Sequence, residues 1–291
     1  MKITFKNFRG RLAQFAAWKN EPEGWEARWS NRSLENLLES YASGKLGEFE
    51  IFTHYLPKDL PVLEAGCGMG QLVMALSSRG YQVEGVDYAE QTIHRIKTVA
   101  PTLNVKVGDV YSLDNCSGTL GGYISLGVFE HNPDGPLPGL LEVHRVLHKN
   151  GVAFISVPYL NNKRQKLLQQ CSVAENIVLN NSLRFYQSYF AKEEFESLLN
   201  KARLKVIDIY PYAVYAGLTR DFDLGRRLHE RGFFFWQLHR RIIRWCENAP
   251  RWVRLRFAHM IMFICRPEQP PQPGKQLPRR THNNCEVQHY L

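Results

Sequence analysis

The stretch Pro61 to Gly70 reads P-V-L-E-A-G-C-G-M-G and decides the fold of this chain. The apolar pair Val62 and Leu63 precedes three glycines at alternate positions, and a helical apolar pattern follows them. This order predicts a buried strand, a tight turn and a helix. Glycine lacks a Cβ atom, so the polar atoms of a ligand can lie against backbone N–H groups where the helix starts. The stretch therefore predicts a nucleotide-like ligand.

Two later segments bring carboxylates close to this turn. A second strand is predicted to end at Asp87, seventeen residues beyond Gly70, which is near the spacing at which an acid receives ribose hydroxyls. A third strand, Asn104 to Gly108, is followed by Asp109. Because parallel strands end at the same edge of a sheet, the glycine turn and both aspartates are expected at the edge where open α/β folds bind ligands.

The alternation of strands and helices after Pro61 indicates the fold class. Strands are expected at 62–66, 82–87, 104–108, 122–127, 151–157, 204–215 and 260–266, and helices at 69–79, 89–99 and 136–147. Near-continuous apolar strands separated by helices are typical of a parallel sheet covered on both faces. The sequence therefore predicts a doubly wound α/β fold.

Length and composition indicate one globular domain with additions. The chain has 291 residues, of which 44% are hydrophobic and 12% aromatic. Its six cysteines form no C-x-x-C pair, which favours reduced thiols in a cytoplasmic protein over a zinc site or a disulfide framework. No metal site is expected. No apolar run approaches the roughly eighteen residues of a membrane span.

The first sixty residues are expected to form a helical preface to the sheet. Phe5, Phe8, Leu12 and Phe15 recur at helical spacing among basic residues, which predicts a short amphipathic helix. Packing on the domain is favoured over a role at a membrane surface or as an organelle-targeting segment. Further helical patterns follow before Pro57. The tryptophans of this preface serve packing, or close over a cofactor pocket.

The positive charge is concentrated late in the chain. Within 224–256 nine arginines stand against Glu230 and Glu247, which leaves +7 of the formal net charge of +9. Apolar residues recur among them at helical spacing. Such a basic amphipathic helix can lie on an anionic membrane, hold an acidic substrate or contact nucleic acid, or it can simply present a solvated arginine face. Nucleic acid is the least favoured partner, because no groove-reading motif is present.

Two ligand classes compete for the glycine turn. A dinucleotide-binding unit requires G-x-G-x-x-G, whereas here Gly70 follows Gly68 after a single residue. Glu64 also occupies the end of the strand, where a carboxylate would repel a pyrophosphate. The same carboxylate would attract an ammonium or sulfonium group.

Several motifs occur in order after this turn. They are E-A-G-C-G-M-G at 64–70, Gly-Val-Asp-Tyr ending at Tyr88, Gly-Asp-Val at 108–110, S-L-G-V-F-E-H at 125–131 and L-E-V-H-R-V-L-H-K-N-G at 141–151. In this the sequence resembles the class I S-adenosylmethionine-dependent methyltransferases, in particular their small-molecule branch of UbiE-like, type 11 enzymes. The resemblance covers about Pro61 to Tyr159, with a looser match to Arg266. It implies a mostly parallel seven-stranded sheet of Rossmann-like type whose last strand is antiparallel.

The resemblance also implies a role for each motif residue toward the cofactor S-adenosyl-L-methionine. The backbone of Gly66, Cys67, Gly68 and Gly70 would face its methionine part, and Glu64 would shape the site near the amino group. Asp87 would hold the ribose hydroxyls and Tyr88 would pack on the adenine. Asp109 and the N–H of Val110 would read the adenine edge, and Leu126 would line the pocket floor.

Methyl transfer from a sulfonium needs mainly proximity and alignment. A base is required only when the acceptor must lose a proton, and His131 beyond the fourth strand is the candidate, with a structural capping role as the alternative. Tyr159 and Tyr186 are candidates for positioning the acceptor, or are simply packed. The chain departs from the family at Gly121-Gly122, which is expected to loosen the entry to the fourth strand, and at Lys149-Asn-Gly151.

The sequence thus predicts a methyltransferase acting on an O, N or C nucleophile of a small or lipid-linked molecule. The expected organisation is a helical preface (1–60), a cofactor-binding core (61–215), an insertion (216–257), the last core strand (258–266) and a disordered Pro-rich tail (267–291). A peripheral membrane contact through 224–256 is expected to accompany a cytoplasmic location. The alternatives are a non-catalytic cofactor-binding or membrane-associated accessory protein and an NAD(P)-dependent oxidoreductase.

Overall fold

The computed structural model describes residues 3–17, 21–30, 33–44, 50–179, 183–222, 241, 245–246 and 248–268. The strands in these residues are β1 (Ile3–Phe8), β2 (Arg11–Ala16), β3 (Val62–Ala65), β4 (Val83–Asp87), β5 (Val105–Val107), β6 (Leu120–Leu126), β7 (Leu147–Pro158), β8 (Val178–Leu179), β9 (Leu183–Tyr189), β10 (Leu204–Tyr212) and β11 (Met260–Pro267). The helices are α1 (Pro22–Ser30), α2 (Leu34–Ala42), α3 (Phe52–Tyr55), α4 (Gln71–Ser78), α5 (Glu90–Val99), α6 (Leu137–Val146), α7 (Asn162–Gln170), α8 (Lys192–Lys201), α9 (Val214–Asp221) and α10 (Arg251–Phe257).

Seven strands form the central sheet in the order β10-β11-β7-β6-β3-β4-β5. Each adjacent pair in the run β7-β6-β3-β4-β5 is parallel, whereas β11 runs antiparallel to both of its neighbours. The predicted doubly wound, mostly parallel seven-stranded sheet is confirmed, including the antiparallel last strand. The chain order reverses between β3 and β6, so their carboxyl ends flank a crevice of the kind in which open α/β sheets bind ligands.

Alternation along the central strands distributes the core over both faces of the sheet. In β7, Phe154 packs on the face covered by α2, α4 and α5, while Ile155 packs on the face covered by α6 and α8. All four residues of β3 are buried. Strands covered on both faces read as continuous apolar runs, which is why the sequence located them to within a few residues.

Gly121 and Gly122 allow close packing at the entry to β6. A Cβ atom on Gly122 would lie 2.4 Å from a methyl group of Leu56, and one on Gly121 would lie 2.4 Å from Leu60. The segment after α3 therefore packs directly against β6. The expectation that this glycine pair loosens the strand entry is wrong, because the missing side chains are replaced by packed leucines.

The N-terminal residues form a hairpin rather than the expected amphipathic helix. Strands β1 and β2 pair antiparallel and join β9 and β8 in a second sheet of order β1-β2-β9-β8. The turn uses Arg9 and Gly10, both with positive φ (52° and 83°), which no helix accommodates. Residues three positions apart lie on opposite faces of a strand, so the apolar residues with helical spacing cover both faces of this sheet. The helical expectation for the rest of the preface agrees with α1, α2 and α3.

The chain after β7 contributes to the second sheet. Helix α7 is followed by β8, and β9, which begins at Leu183, pairs with the hairpin. In the insertion, α9 and α10 are described, while most of the basic segment 224–256 and the tail beyond residue 268 lie outside the described residues. Within the described part of the chain, no helix has the length and apolarity needed to cross a bilayer.

Candidate active site

The turn after β3 is built from backbone hydrogen bonds to the neighbouring strand. The N–H groups of Gly66 and Cys67 both donate to the carbonyl oxygen of Val86, at 2.7 and 3.0 Å. Gly66, Gly68 and Gly70 have φ values of 79°, 53° and 73°, a region that favours glycine. A Cβ atom on Gly66 would lie 2.4 Å from Val128, so this glycine is needed for the close approach of the loop after β6.

Asp87 connects this turn to the start of α5. Its Oδ2 accepts a hydrogen bond from the Gly68 N–H at 2.8 Å, and its Oδ1 accepts one from the Ala89 N–H at 3.0 Å. Burial raises the pKa of the Asp87 carboxyl, although these N–H donors oppose that shift. Carboxylate oxygens have further lone pairs, so Asp87 can still accept from hydroxyl groups of a ligand.

Asp109 follows β5 at the same edge of the sheet. Its Oδ1 accepts a hydrogen bond from the Tyr111 N–H at 2.9 Å, which forms an Asx turn and leaves the side chain exposed toward the cavity. Val110, the next residue, is buried. Both aspartates therefore cap the loops that follow their strands, and their remaining lone pairs can accept hydrogen bonds from a ligand.

The three strand ends surround one cavity of about 790 Å³. Almost every residue predicted to contact the cofactor lines it, together with the proposed base. These are Glu64, Gly66, Cys67, Gly68, Asp87, Tyr88, Asp109, Val110, Leu126 and His131. Gly70 is the exception, because it caps the N-terminus of α4 and faces Leu103 on the core side of the turn. Tyr186 also lines the cavity, whereas Tyr159 does not.

Glu64 is a buried carboxylate at the wall of this cavity. It is only 7% exposed, and its Oε2 has no hydrogen-bond partner among the described residues. Burial raises the pKa of Glu64 well above its ordinary value, and the nearby carboxylate of Asp87 acts in the same direction. A buried polar atom without a partner is costly unless a ligand satisfies it, and a cationic donor would do so best.

Helix α1 covers the glycine turn from above. The ring of Trp29 lies 3.5 Å from where a Cβ atom of Gly68 would stand, and Trp25 stacks on Trp29 with ring centroids 6.1 Å apart. The Gln91 N–H donates to Glu26 at 3.0 Å, and so ties α1 to α5. The preface therefore closes over the cavity, which is one of the two roles that the sequence left open for its tryptophans.

His131 and Glu130 stand together on the 3₁₀ turn after β6. His131 Nδ1 lies 2.7 Å from the carbonyl oxygen of Tyr186; because a carbonyl only accepts, Nδ1 carries the proton and Nε2 keeps a lone pair in the neutral ring. Burial lowers the pKa of His131 to about 4. Glu130 is 2% exposed, with Oε1 3.8 Å from His131 Nε2, and burial raises its pKa to about 8.

These pKa values favour Glu130 over His131 as the group that exchanges a proton near neutral pH. A base works best when its pKa is close to the ambient pH, and His131 is far below that range while Glu130 is near it. The sequence pointed to His131 alone and treated Glu130 only as part of a motif. A glutamate close to a predicted loop is ordinarily exposed to solvent, so nothing in the sequence singles out Glu130. Only its burial in the structure distinguishes it from other glutamates.

Two further residues of the cavity lining, Arg220 and His259, were not found from the sequence. Arg220 lies in the last turn of α9, and His259 directly precedes β11. Arg220 Nη1 lies 2.5 Å from His259 Nε2. Neither residue belongs to a motif, and they meet because α9 folds back beside the start of the antiparallel strand.

Comparisons with known proteins agree with the fold. Residues 62–151 match a family model described as a methyltransferase domain. A protein of Mycolicibacterium smegmatis named as a probable S-adenosylmethionine-dependent methyltransferase is 30% identical over 97 residues, which are 33% of this chain and 37% of that relative. The match therefore spans little more than a third of the length of the curated relative.

Solved structures share the architecture at low identity. A chain in the Haloferax volcanii complex of the Trm112 methyltransferase activator with a candidate methyltransferase has a TM-score of 0.54 and 15% identity, over 86% of this chain and 98% of that one. A SAM-dependent methyltransferase of Methanosarcina mazei has a TM-score of 0.51 and 18% identity, over 76% of this chain and 98% of that one. At such identities the likeness shows the fold alone.

Proposed function

We propose that this chain, whose residues 62–151 match the methyltransferase domain family model, moves a methyl group from S-adenosylmethionine to an oxygen, nitrogen or carbon nucleophile of a small or lipid-linked molecule. One observation carries the proposal. The ends of β3, β4 and β5 bring Gly68, Asp87 and Asp109 to a single cavity, and the buried Glu64 faces the same space.

The residues present fit this cofactor. Glu64 has a buried oxygen that lacks a hydrogen-bond partner in the described part of the chain and suits a cation, and we assign it to the ammonium end of the methionine part, beside the backbone of Gly66 to Gly68. Asp87 is proposed to accept from the ribose hydroxyls. Tyr88, which is 41% exposed at the cavity wall, is proposed to cover the adenine.

The remaining cofactor contacts are proposed at the outer strand and the floor. Asp109 and the Val110 N–H are assigned to the adenine edge, and Leu126 to the floor below the reacting centre. Cys67 contributes backbone only, because its thiol points to the core beside Gly85. Gly70 shapes the turn on its core side, against Leu103. A dinucleotide is disfavoured, because its pyrophosphate would approach the buried carboxylates of Glu64 and Asp87.

S-adenosylmethionine supplies an electrophilic methyl group on a sulfonium centre. The chain's own residues hold the acceptor in line with that group and keep water out, and this alignment accounts for most of the rate enhancement. Trp25 and Trp29 form the cover that excludes water. His131 orients the acceptor through its unprotonated Nε2, and the adjacent Glu130 takes up the acceptor proton when one must leave.

Calorimetry with S-adenosylhomocysteine tests the proposal. Wild-type protein is expected to bind it, and Asp87→Ala is expected to bind at least tenfold more weakly because a charge-assisted contact contributes about 1.5–3 kcal/mol. No binding by the wild type, or equal binding by the variant, contradicts the proposal. A mass-spectrometric search of cell extracts for products that gain one methyl group then identifies the acceptor.

We also propose a peripheral membrane contact through the basic segment 224–256. Its described residues support this, because Trp245 and Trp252 are each 70% exposed, and exposed tryptophan favours the membrane interface. Flotation with anionic liposomes tests the contact. The double variant Trp245→Ala/Trp252→Ala is expected to lose flotation while it retains S-adenosylhomocysteine binding, and undiminished flotation contradicts this part of the proposal.

A further inference from the structure

The end of the cavity formed by Arg220 and His259 differs chemically from the cofactor end. The glycine turn is surrounded by carboxylates, whereas Arg220 brings a guanidinium group to the lining. Gln187 of β9 and Tyr186 add polar and aromatic surface there. A site for the acceptor is needed in the same cavity if the protein transfers a methyl group, so the chemistry of this end bears on what the acceptor carries.

The ring of His259 lies between two guanidinium groups. Arg164 Nη2 is 2.5 Å from His259 Nδ1, and Arg220 Nη1 is 2.5 Å from His259 Nε2. His259 is buried, and burial together with the two arginines lowers its pKa well below the ordinary value. The ring is therefore neutral, and a neutral imidazole can accept a hydrogen bond at only one of its two nitrogens.

Several contacts hold Arg164 on one side of the His259 ring. It is 4% exposed and fixed by an ion pair with Asp221 at 3.1 Å, by the carbonyl oxygen of Tyr159 at 2.7 Å and by the ring of Tyr189 beneath it. Asn161 holds the other oxygen of Asp221 at 2.7 Å. This set of contacts fixes Arg164 against His259 Nδ1.

Arg220 lies on the other side of the ring, with Nη1 beside His259 Nε2. Among the described residues its guanidinium has no carboxylate partner. Counting the described residues, the cluster of Arg164, Arg220, His259 and Asp221 holds two guanidinium charges against one carboxylate, which leaves one positive charge beside the cavity. A guanidinium carries five N–H donors, so Arg220 can contact His259 with one of them and bind an oxyanion with others.

We propose that Arg220, which lines the cavity beside His259, binds an oxyanion of the methyl acceptor, a carboxylate or a phosphate. This inference rests on the proposed function and deepens it, because it names the chemical class of the acceptor. Arg164, Asp221 and Asn161 act as positioning residues that hold His259 in the required orientation.

Binding of small probes to protein saturated with S-adenosylhomocysteine tests the proposal. Benzoate and phenyl phosphate present the two oxyanions on an aromatic ring that suits Trp25 and Tyr186, and benzamide is the neutral counterpart of benzoate. Saturation-transfer NMR is expected to show at least one anion binding about tenfold more tightly than benzamide, which corresponds to one charge-assisted contact. The stronger of the two anions indicates whether the acceptor carries a carboxylate or a phosphate.

Variants locate the effect. Arg220→Gln is expected to reduce anion binding to the level of benzamide, and Arg220→Lys is expected to retain part of it. Arg256→Gln makes the same charge change at an exposed position outside the cavity, and is expected to bind like the wild type. Thermal unfolding of each variant checks its fold. If Arg220→Gln is unstable, anion binding by Arg220→Lys is compared with that of the wild type instead.

Three outcomes overturn the proposal: no preference of the wild type for either anion over benzamide, unchanged anion binding by Arg220→Gln, or an equal loss in Arg256→Gln. Binding of S-adenosylhomocysteine is measured separately for the wild type and Arg220→Gln. Its absence in the wild type refutes the proposed function, whereas normal cofactor-product binding without anion preference refutes only the assignment of Arg220.

Discussion

The N–H of Gly68 donates a hydrogen bond to Asp87 Oδ2 at 2.8 Å, and this contact joins the turn after β3 to the end of β4. Both residues line the cavity, so the geometry of the cofactor site depends on a bond between two neighbouring strands rather than on either turn alone. The carboxylate also receives the Ala89 N–H and therefore organises the start of α5.

Replacing Asp87 with asparagine is expected to weaken S-adenosylhomocysteine binding at least tenfold. Asparagine keeps one acceptor but turns an NH₂ group toward either Gly68 or Ala89, and two donors then face each other. A lost charge-assisted contact costs about 1.5–3 kcal/mol. Calorimetry gives the change, with Asp114→Asn as control because that aspartate is exposed and outside the cavity. An unchanged dissociation constant for Asp87→Asn would refute the role of this carboxylate.

Removing the cover over the glycine turn is expected to weaken cofactor binding as well. Trp29→Ala deletes the ring that lies on Gly68 and exposes that side of the cavity to water. We expect S-adenosylhomocysteine affinity to fall about tenfold, in line with the free energy of burying an aromatic ring against a ligand. Trp252→Ala, at an exposed position on α10, is the matched control. Equal affinities of the two variants would show that α1 is not part of the site.

The stability contributed by Glu130 is expected to fall with rising pH. Below pH 4.5 the carboxyl is protonated in both states; above that value the unfolded chain releases the proton, while burial raises the folded pKa to about 8. The folded state then binds more protons, so the free energy of unfolding decreases until about pH 8. Urea unfolding is expected to show that the free energy of unfolding of Glu130→Gln rises relative to that of the wild type between pH 4.5 and 8. Glu39→Gln, on the exposed side of α2, makes the same charge change at the surface and is the control. If the difference in free energy of unfolding between Glu130→Gln and the wild type does not change with pH, the buried position of Glu130 is contradicted.

His131 is expected to act in the opposite direction. The unfolded chain takes up a proton below pH 6.5, whereas burial lowers the folded pKa to about 4, so the unfolded state binds more protons between these values. The free energy of unfolding of the wild type therefore decreases as the pH falls from 6.5 to 4, and His131→Gln removes that contribution. Unfolding curves at pH 4.5 and 7 measure it. The same pH dependence in both proteins would mean that the ring is solvated.

The pair of Arg164 and Asp221 is expected to be important for stability. Their side chains are only 5% and 10% exposed, so Asp221→Ala leaves a buried guanidinium without its counter-ion. Breaking a buried pair in this way costs about 3–5 kcal/mol. Asp134→Ala breaks the surface pair with Arg9, whose partners are 52% and 75% exposed, and is expected to cost less than about 1 kcal/mol. Similar losses in thermal unfolding for both variants would contradict the buried network.

The sequence by itself determined the central sheet, its strand order in the chain and the edge where ligands bind. Strands buried on both faces must be apolar throughout, and the turn at Gly66 to Gly70 requires a backbone that only glycine readily adopts, so these features are written locally. It also located Asp87 and Asp109, because acids that follow buried strands must gather at one edge of a parallel sheet.

Only the tertiary structure decided the rest. The N-terminal hairpin satisfies its backbone through β9, more than 160 residues away, and its apolar spacing suits a helix equally well until both faces of the sheet are seen to be buried. The burial of Glu130 and the meeting of Arg220 with His259 depend on packing between distant segments. Burial and long-range contact set the ionisation and the partners of a side chain, and neither is encoded in the residues next to it.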